Sequence, residues 1–319
     1  MSNFNTQVER REFLTRMLTA TALSGLPVAA TRAAPPPRRV APPPPKRRFK
    51  LKYAPHFGMF TNSGGKDPID QLTFMADEGF TALEDNGLMR KPVELQQQIG
   101  DTLAKLSMTM GVFVIETGDR GKPSLTTGKP EFRDNFVNAC KTAVEVAKRV
   151  NAKWMTVVPG NFERRLPIGI QTGHVIDALR AGADVLAPHN LIMVLEPLSD
   201  TPELFLRDPD QTYMICRAVN SPACKILYDM YHMQRNVGHI IPNMDLAWEE
   251  IAYFQVGDVP GRKEPGTGEM HYRNIFRHIH AKMQESKRDF VLGMEHGNAF
   301  PGKEGEAKLI QAYVDADNF

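Results

Sequence analysis

From Leu51 to the C-terminus the chain repeats one pattern eight times: a short run that is apolar throughout, then a longer stretch with helical periodicity. The apolar runs are LKYAPHFG, TALEDNG, MTMGVFVIE, WMTVVPG, LIMVLEPL, CKILYDM, IAYFQVGD and FVLGMEHG. A strand that is apolar at every position is buried on both faces, which happens in parallel sheets covered by helices. Eight strand–helix units within roughly 250 residues are the requirement of a closed (β/α)8 TIM barrel. A doubly wound open sheet is the rival, but no glycine-rich phosphate loop follows the first run. The segment 131–150 shows the helical component, with Phe136, Ala139, Ala143, Val146 and Val150 on one face.

In such a barrel the chemistry gathers at the carboxyl ends of several strands at once. Here the fifth strand runs out at Glu196, the sixth at Asp229, the seventh at Gln255 and the eighth at Glu295. Each has an ordinary explanation alone. Glu196 could pair with Arg207, Asp229 could cap the following helix, Gln255 could satisfy loop backbone, and Glu295 could pair with Lys303. Together, however, three carboxylates at one level would repel one another unless a cation lay between them, so a bound metal ion is the expectation. Three carboxylates and an amide oxygen suit a hard ion, Mg2+ or Mn2+, better than zinc.

A divalent ion held there would polarise a substrate carbonyl and acidify the C–H beside it. Removing that proton gives an enediolate, and returning it to the neighbouring carbon completes an aldose–ketose isomerisation. Glu196 and Glu295, reaching the substrate from different strands, are the candidate proton carriers. Arg262, in the glycine- and proline-rich loop GDVPGRKEPGTGE, could hold a carboxylate bidentately, or pair with Glu264 or Glu269 in solvent. His232 could bond substrate oxygens near Asp229. Glu269 reads as a residue that orders its loop or meets Arg262. His56 and Glu84 end the first two strands and point into the same mouth by position.

The segments LEPL, LYDMYHMQ, FQVGDVPGRKEPGTGEMHYRNIF and GMEHG together resemble the hydroxypyruvate isomerase branch of the xylose isomerase-like barrels, over roughly residues 51–315. The resemblance implies a metal held by Glu196, Asp229, Gln255 and Glu295, with Glu196 and Glu295 doubling as acid and base. It also implies substrate contacts from His232 and Arg262, and interconversion of hydroxypyruvate and tartronate semialdehyde through a metal-bound enediolate. The chain departs from the branch after the eighth strand, where Glu295-His296-Gly297-Asn298 stands in place of a stretch that often carries a lysine. The nearest alternative is a ketose 3-epimerase or related sugar isomerase. A barrel that binds a sugar or keto acid without turning it over would not need two proton carriers.

Charge separates the chain into two parts. Residues 1–48 hold nine Lys and Arg against two acidic residues, and residues 49–319 hold thirty against thirty-five, a net of −5. An acidic body argues against nucleic acid as partner, and with no histidine at the four strand ends it argues against an abasic-site endonuclease of the same fold. The basic residues open the chain: Arg10-Arg11-Glu12-Phe13-Leu14, a weakly apolar run from Met17 to Ala30, then small residues. This resembles a twin-arginine signal, so residues 1–33 are expected to engage the twin-arginine export machinery and carry the protein out of the cytoplasm. APPPRRVAPPPPKRR, residues 34–48, reads as a polyproline linker ahead of the barrel at 49–319. The run at 17–30 is too short and too polar to span a bilayer. Cys140, Cys216 and Cys224 have no metal-type spacing and read as core.

Overall fold

The structure, a computed structural model, describes residues 45–118 and 121–319. The stretch expected to act as an export signal, residues 1–33, and most of the expected linker, residues 34–48, lie outside the described residues. Nine strand segments, all paired in parallel, follow in order: β1 (Lys52–Ala54), β2 (Ala82–Leu83), β3 (Thr109–Met110), β4 (Val112–Val114), β5 (Trp154–Val157), β6 (Ile192–Leu195), β7 (Cys224–Asp229), β8 (Ile251–Gln255) and β9 (Val291–Gly293). The α-helices between and after them are α1 (Pro68–Glu78), α2 (Val93–Leu106), α3 (Pro130–Val150), α4 (Ile168–Leu186), α5 (Pro209–Val219), α6 (Met230–Asn236), α7 (Ile240–Ala247), α8 (Tyr272–Ser286) and α9 (Gly302–Asp317).

Seven strands form one sheet in the order β1-β9-β8-β7-β6-β5-β4, and β2 pairs with β3. The two pieces join because β3 and β4 are one barrel strand interrupted at Gly111, whose N–H donates to the Leu83 carbonyl at 2.7 Å. On the other side a bridge between His56 and Glu84 ties the end of β1 to the end of β2. Eight barrel strands therefore close on themselves, which removes every sheet edge. The third run of the sequence was one strand by pattern. It is two segments here because the strand leaves β2 for β5 at Gly111, where a Cβ would stand 2.4 Å from the Tyr253 hydroxyl and 2.9 Å from the Leu83 carbonyl oxygen.

Two hydrophobic clusters result. The larger lies between the strands' outer faces and the helices, and it takes in Phe136, Cys140, Ala143, Val146 and Val150 of α3 with Ala139 packed beside them. Each large side chain buried in this way contributes about 1.5–3 kcal/mol. The smaller cluster, Ala54, Ala82, Val112, Trp154, Val194, Leu227, Ala252, Tyr253 and Val291, draws on all eight barrel strands and fills the interior. The three cysteines are buried and free, in agreement with a packing role.

Helix starts follow local chemistry. Asp67 and Asp208 precede Pro68 and Pro209, and their side chains accept from Ile69 N and Asp210 N at the first turns of α1 and α5. The end of the linker packs on α1: Lys46 Nζ lies 2.6 Å from Glu78, which Arg47 also meets. No helix among the described residues is long and apolar enough to cross a membrane.

Candidate metal and substrate site

Side chains alternate along a strand, so the residue two places beyond an interior position also faces inward. Ala82 is followed in this way by Glu84, Val194 by Glu196, Leu227 by Asp229 and Tyr253 by Gln255, while Val291 leads through Gly293 to Glu295. The polar residues therefore crown the apolar interior at the carboxyl end of the barrel. Asp229 and Gln255 face each other in register across β7 and β8, and Gln255 faces Gly293 across β8 and β9. The four residues read from the sequence as ligands thus lie on four successive strands, with Glu196, Asp229 and Gln255 buried and Glu295 half-buried.

Asp229 does cap α6, its Oδ1 accepting from Tyr231 N at 2.8 Å, but its Oδ2 remains turned into the mouth. There it meets Arg262 Nη2 at 3.0 Å and His232 Nε2 at 3.5 Å. Glu196 lies 3.8 Å from the same His232 nitrogen. Glu295 accepts from Asn86 Nδ2 at 2.9 Å through Oε1 and from Arg262 Nη2 at 2.8 Å through Oε2. The local alternatives for Glu196 and Arg262 are not realised: Arg207 bonds Thr201 and Asn236 rather than Glu196, and Arg262 pairs with Asp229 and Glu295 rather than with Glu264 or Glu269.

The electrostatics follow from this crowding. Burial, reinforced by Glu295 and Asp229, holds the Glu196 carboxyl well above the usual carboxylate range. Burial lifts Glu295 to about 7, with Arg262 opposing and Asp229 adding to the rise. For Arg262, burial works against the charge but Asp229, Glu295 and Glu196 outweigh it, so the guanidinium stays protonated. Part of the cationic role expected of a metal is therefore met here by an arginine.

His232 is fully buried, and its Nδ1 faces the Ser199 backbone N–H at 3.1 Å and the Ser199 hydroxyl at 2.8 Å. A backbone N–H can only donate, so Nδ1 accepts and the ring proton of the neutral imidazole sits on Nε2. Burial keeps that imidazole below its ordinary pKa. Nε2 has no hydrogen-bond partner among the described residues. Glu196, Asp229 and His232 present ligand atoms within 4.8 Å of one another, but a protonated Nε2 is a donor and not a ligand. The chemistry of the set favours Glu196, Asp229, Gln255 and Glu295 for a hard divalent cation, with His232 held back for a substrate oxygen. The Gln255 carbonyl oxygen fits this: Oε1 is buried without a partner among the described residues.

Arg262 owes its aim to its loop. Asp258 accepts from the backbone N–H groups of Val259 and Met270 through Oδ1 and of Gly266 and Gly268 through Oδ2. The expectation that Glu269 orders this loop is corrected by that hub: among the described residues the Glu269 side chain accepts a single long bond of 3.3 Å, from Gln234, and a short carboxylate at the loop's base can gather more amides than a longer one at its rim. Arg262 itself has φ 49° and lies over the Tyr231 ring at 4.8 Å.

Three contributors were not singled out by sequence reasoning: Asn86, Ser199 and Asp258. Asn86, two residues beyond Glu84, was detectable as a polar residue continuing a strand end. Ser199 and Asp258 act through backbone geometry that a sequence does not display. His56 has a backbone carbonyl beside each ring nitrogen, Phe57 at 2.8 Å and His296 at 3.1 Å, and its protonated nitrogen donates to one of them, so it supports the wall. Glu84 lies beneath the mouth. Above these groups opens a cavity of about 550 Å3, lined by Asn86, Thr156, Asn161, Asp200, His232 and Arg262 among others.

The pattern of a closed parallel barrel with this crown of acids has a match among known families: a model of the xylose isomerase-like TIM barrel covers residues 72–310. The chain belongs to that family. Among xylose isomerase-like relatives, hydroxypyruvate isomerase of Escherichia coli (strain K12) is 29% identical over 168 residues, 51% of this chain and 62% of that enzyme. The chain thus matches under two thirds of that relative's length. 2-Oxo-tetronate isomerase of Cupriavidus necator is 24% identical over 216 residues, 65% of this chain and 80% of that one. These relatives are named isomerases. Of solved structures, AP endonuclease family 2 from Brucella melitensis superposes with TM-score 0.69 at 22% identity, covering 82% of this chain and 98% of that one. D-psicose 3-epimerase from Clostridium cellulolyticum H10, with D-tagatose, gives TM-score 0.69 at 14% identity, covering 84% and 98%. Both structures share the fold.

Proposed function

We propose that this protein is a divalent-metal-dependent isomerase of a small 2-oxo acid with a neighbouring hydroxyl, of which hydroxypyruvate is the simplest. The observation that carries the reading is the placement of Glu196 and Glu295 on either flank of Asp229 and Gln255, with a buried His232 N–H and the Arg262 guanidinium turned into the same mouth. Glu196, Asp229, Gln255 and Glu295 would hold the ion, Mg2+ or Mn2+. When bound, it supplies positive charge beside the carbonyl and hydroxyl oxygens and so acidifies the intervening C–H.

The chain's own groups do the rest. Arg262 pairs with the substrate carboxylate, which fixes the acid's orientation. One glutamate takes the proton from the hydroxyl-bearing carbon, and the other returns a proton to the former carbonyl carbon. The Glu295 carboxyl, lifted to about 7, can serve in either direction near neutrality. His232 Nε2–H donates to the oxygen on which charge develops between the two steps. The hydroxyl proton passes from its own oxygen to the former carbonyl oxygen, and hydroxypyruvate leaves as tartronate semialdehyde with no atom gained or lost.

A second reading is favoured by the cavity. At about 550 Å3 it has room for far more than a three-carbon acid, since a water claims roughly 30 Å3 of liquid. A longer 2-oxo acid or a ketose, isomerised or epimerised by the same proton transfer, would fill it better. Export through the amino-terminal arginine pair is also part of the proposal.

The test is turnover of metal-loaded protein in deuterium oxide, with hydroxypyruvate, longer 2-oxo-3-hydroxy acids and free ketoses as substrates. Deuterium appearing on carbon in product or recovered substrate supports proton transfer. Turnover with an intact hydride passed between the carbons would replace the mechanism by a hydride shift, and metal-independent turnover would sink the assignment.

A further inference from the structure

Glu84 is fully buried beneath the mouth, does not line the cavity, bonds neither its lining nor Arg262 among the described residues, and has no part in the proposed proton transfer. Both its oxygens are engaged. Oε1 accepts from Gln255 Nε2 at 2.9 Å and Oε2 from the Tyr253 hydroxyl at 3.0 Å. Its donors come from β8 and it comes from β2, so the contact passes through the barrel interior. Room for it is made by omission. A Cβ on Gly293 would lie 1.8 Å from Glu84 Oε2, and one on Gly111 would lie 2.4 Å from the Tyr253 hydroxyl.

With the Tyr253 hydroxyl donating to Oε2, it is as an acceptor that Oε1 of Glu84 meets Gln255, so it selects the amino end of the amide. The two ends of an amide diverge, and Oε1 must then face away from Glu84. It is this oxygen that is buried without a partner among the described residues. Leaving a buried carbonyl oxygen unpaired is unfavourable, and a cation in the mouth would offset that.

We infer that Glu84 is a positioning residue for the cation: by holding Gln255 Nε2, with Tyr253 steadying it, it fixes the Gln255 amide so that Oε1 is the ligand atom presented to the metal. It acts on an amide as a carboxylate behind a metal-bound histidine acts on the ring, and it explains why a neutral residue can take the third place among the ligands without ambiguity of orientation. The inference rests on the cation reading above.

The test is Mn2+ binding followed by calorimetry, with melting in chelator as a control for folding. Glu84→Leu, which keeps bulk but removes both acceptors, is expected to weaken Mn2+ binding by about 10–100-fold. Glu84→Gln can still offer an oxygen to Gln255 and is expected to restore most of the affinity. In a Gln255→Leu background, Glu84→Leu is expected to change Mn2+ affinity no further, because the group it positions is gone. Glu84→Met is read by the same criteria should the leucine variant not fold. Unaltered Mn2+ affinity in Glu84→Leu, or an equal loss with and without Gln255, would overturn the inference while leaving the metal site standing. Absence of Mn2+ binding by the unsubstituted protein would overturn both.

Discussion

The Arg262 guanidinium lies 2.8 Å from the Glu295 carboxylate, and the same nitrogen reaches Asp229 at 3.0 Å. One cationic group thus bridges two oxygens that a metal would also require. Arg262 has two tasks in this reading, to neutralise the acids when the ion is absent and to receive a substrate carboxylate when it is present. Arg262→Ala is expected to lower the melting temperature in chelator, and to narrow or abolish that deficit when Mn2+ is added. In kinetics it should raise KM for an anionic substrate far more than for a neutral ketose. Equal effects on both substrates would remove the carboxylate contact from the scheme.

Asp229 is the most buried of the three acids proposed to hold the ion, so its loss cannot be made good by solvent. Asp229→Ala should leave the protein with well under one equivalent of Mn2+ after dialysis, against about one for the unsubstituted chain. Asp229 also caps α6, and Asp229→Asn, which can still accept from Tyr231 N, separates the two roles. Metal content that stays the same in both variants would locate the ion elsewhere.

Replacing Glu196 or Glu295 by Gln keeps a neutral oxygen in place but removes the base. Either change should lower kcat by about 100-fold or more, the scale of general acid–base catalysis. Excess Mn2+ should recover only the share due to weaker metal binding. A variant that regains full kcat in excess Mn2+ would show its glutamate to be a ligand and nothing more.

The pH dependence has a definite sign. Glu295 is raised to about 7, and burial also raises Glu196 and Glu84. Carboxyls raised above their unfolded values bind protons more tightly when folded, so they favour the metal-free fold as pH drops through their raised pKa, about 7 for Glu295, and lose that contribution as pH climbs. Below about 6.5 the buried imidazoles of His232 and His296, whose pKa burial lowers, oppose the trend. In chelator the melting temperature should therefore rise on going from about pH 8 to about pH 6.5. The gain from saturating Mn2+, which needs ionised ligands, should be larger at the higher pH. Scanning calorimetry at the two pH values checks both signs, and a Mn2+ gain larger at pH 6.5 would contradict the assignment.

Arg10 and Arg11 precede the weakly apolar run from Met17 to Ala30. Replacing both by Lys is expected to leave unprocessed precursor in the cytoplasm, seen by fractionation and blotting. Unchanged processing would return residues 1–48 to the status of a basic tail.

Glu196, Asp229, Gln255 and Glu295 were legible in the sequence because two local rules combine: an apolar run marks a buried strand, and its first polar residue marks the mouth. Neither rule sees across the barrel. Glu84 and Gln255 are 171 positions apart, and no spacing announces their bond. Arg262 was read as a guanidinium aimed at a carboxylate, with pairing to Glu264 or Glu269 as the alternative; its partners Asp229 and Glu295 could not be named, because the loop gathered on Asp258 that turns the guanidinium inward is not displayed by a sequence. The split of the third strand was hidden for a similar reason: Gly111 looks like one small residue in an apolar run, and the Tyr253 hydroxyl and Leu83 carbonyl that crowd it come from other strands.

Gly111 and Gly293 carry a lesson for anyone who would transplant this centre. Four ligands grafted at the ends of four strands of another barrel would reproduce the list of donors but not their aim. The host would also need two vacancies deep in its interior, one for a tyrosine hydroxyl and one for a glutamate, and most barrels fill those places with branched side chains. What defines the centre is as much the volume withheld from the barrel's middle as the oxygens displayed at its rim.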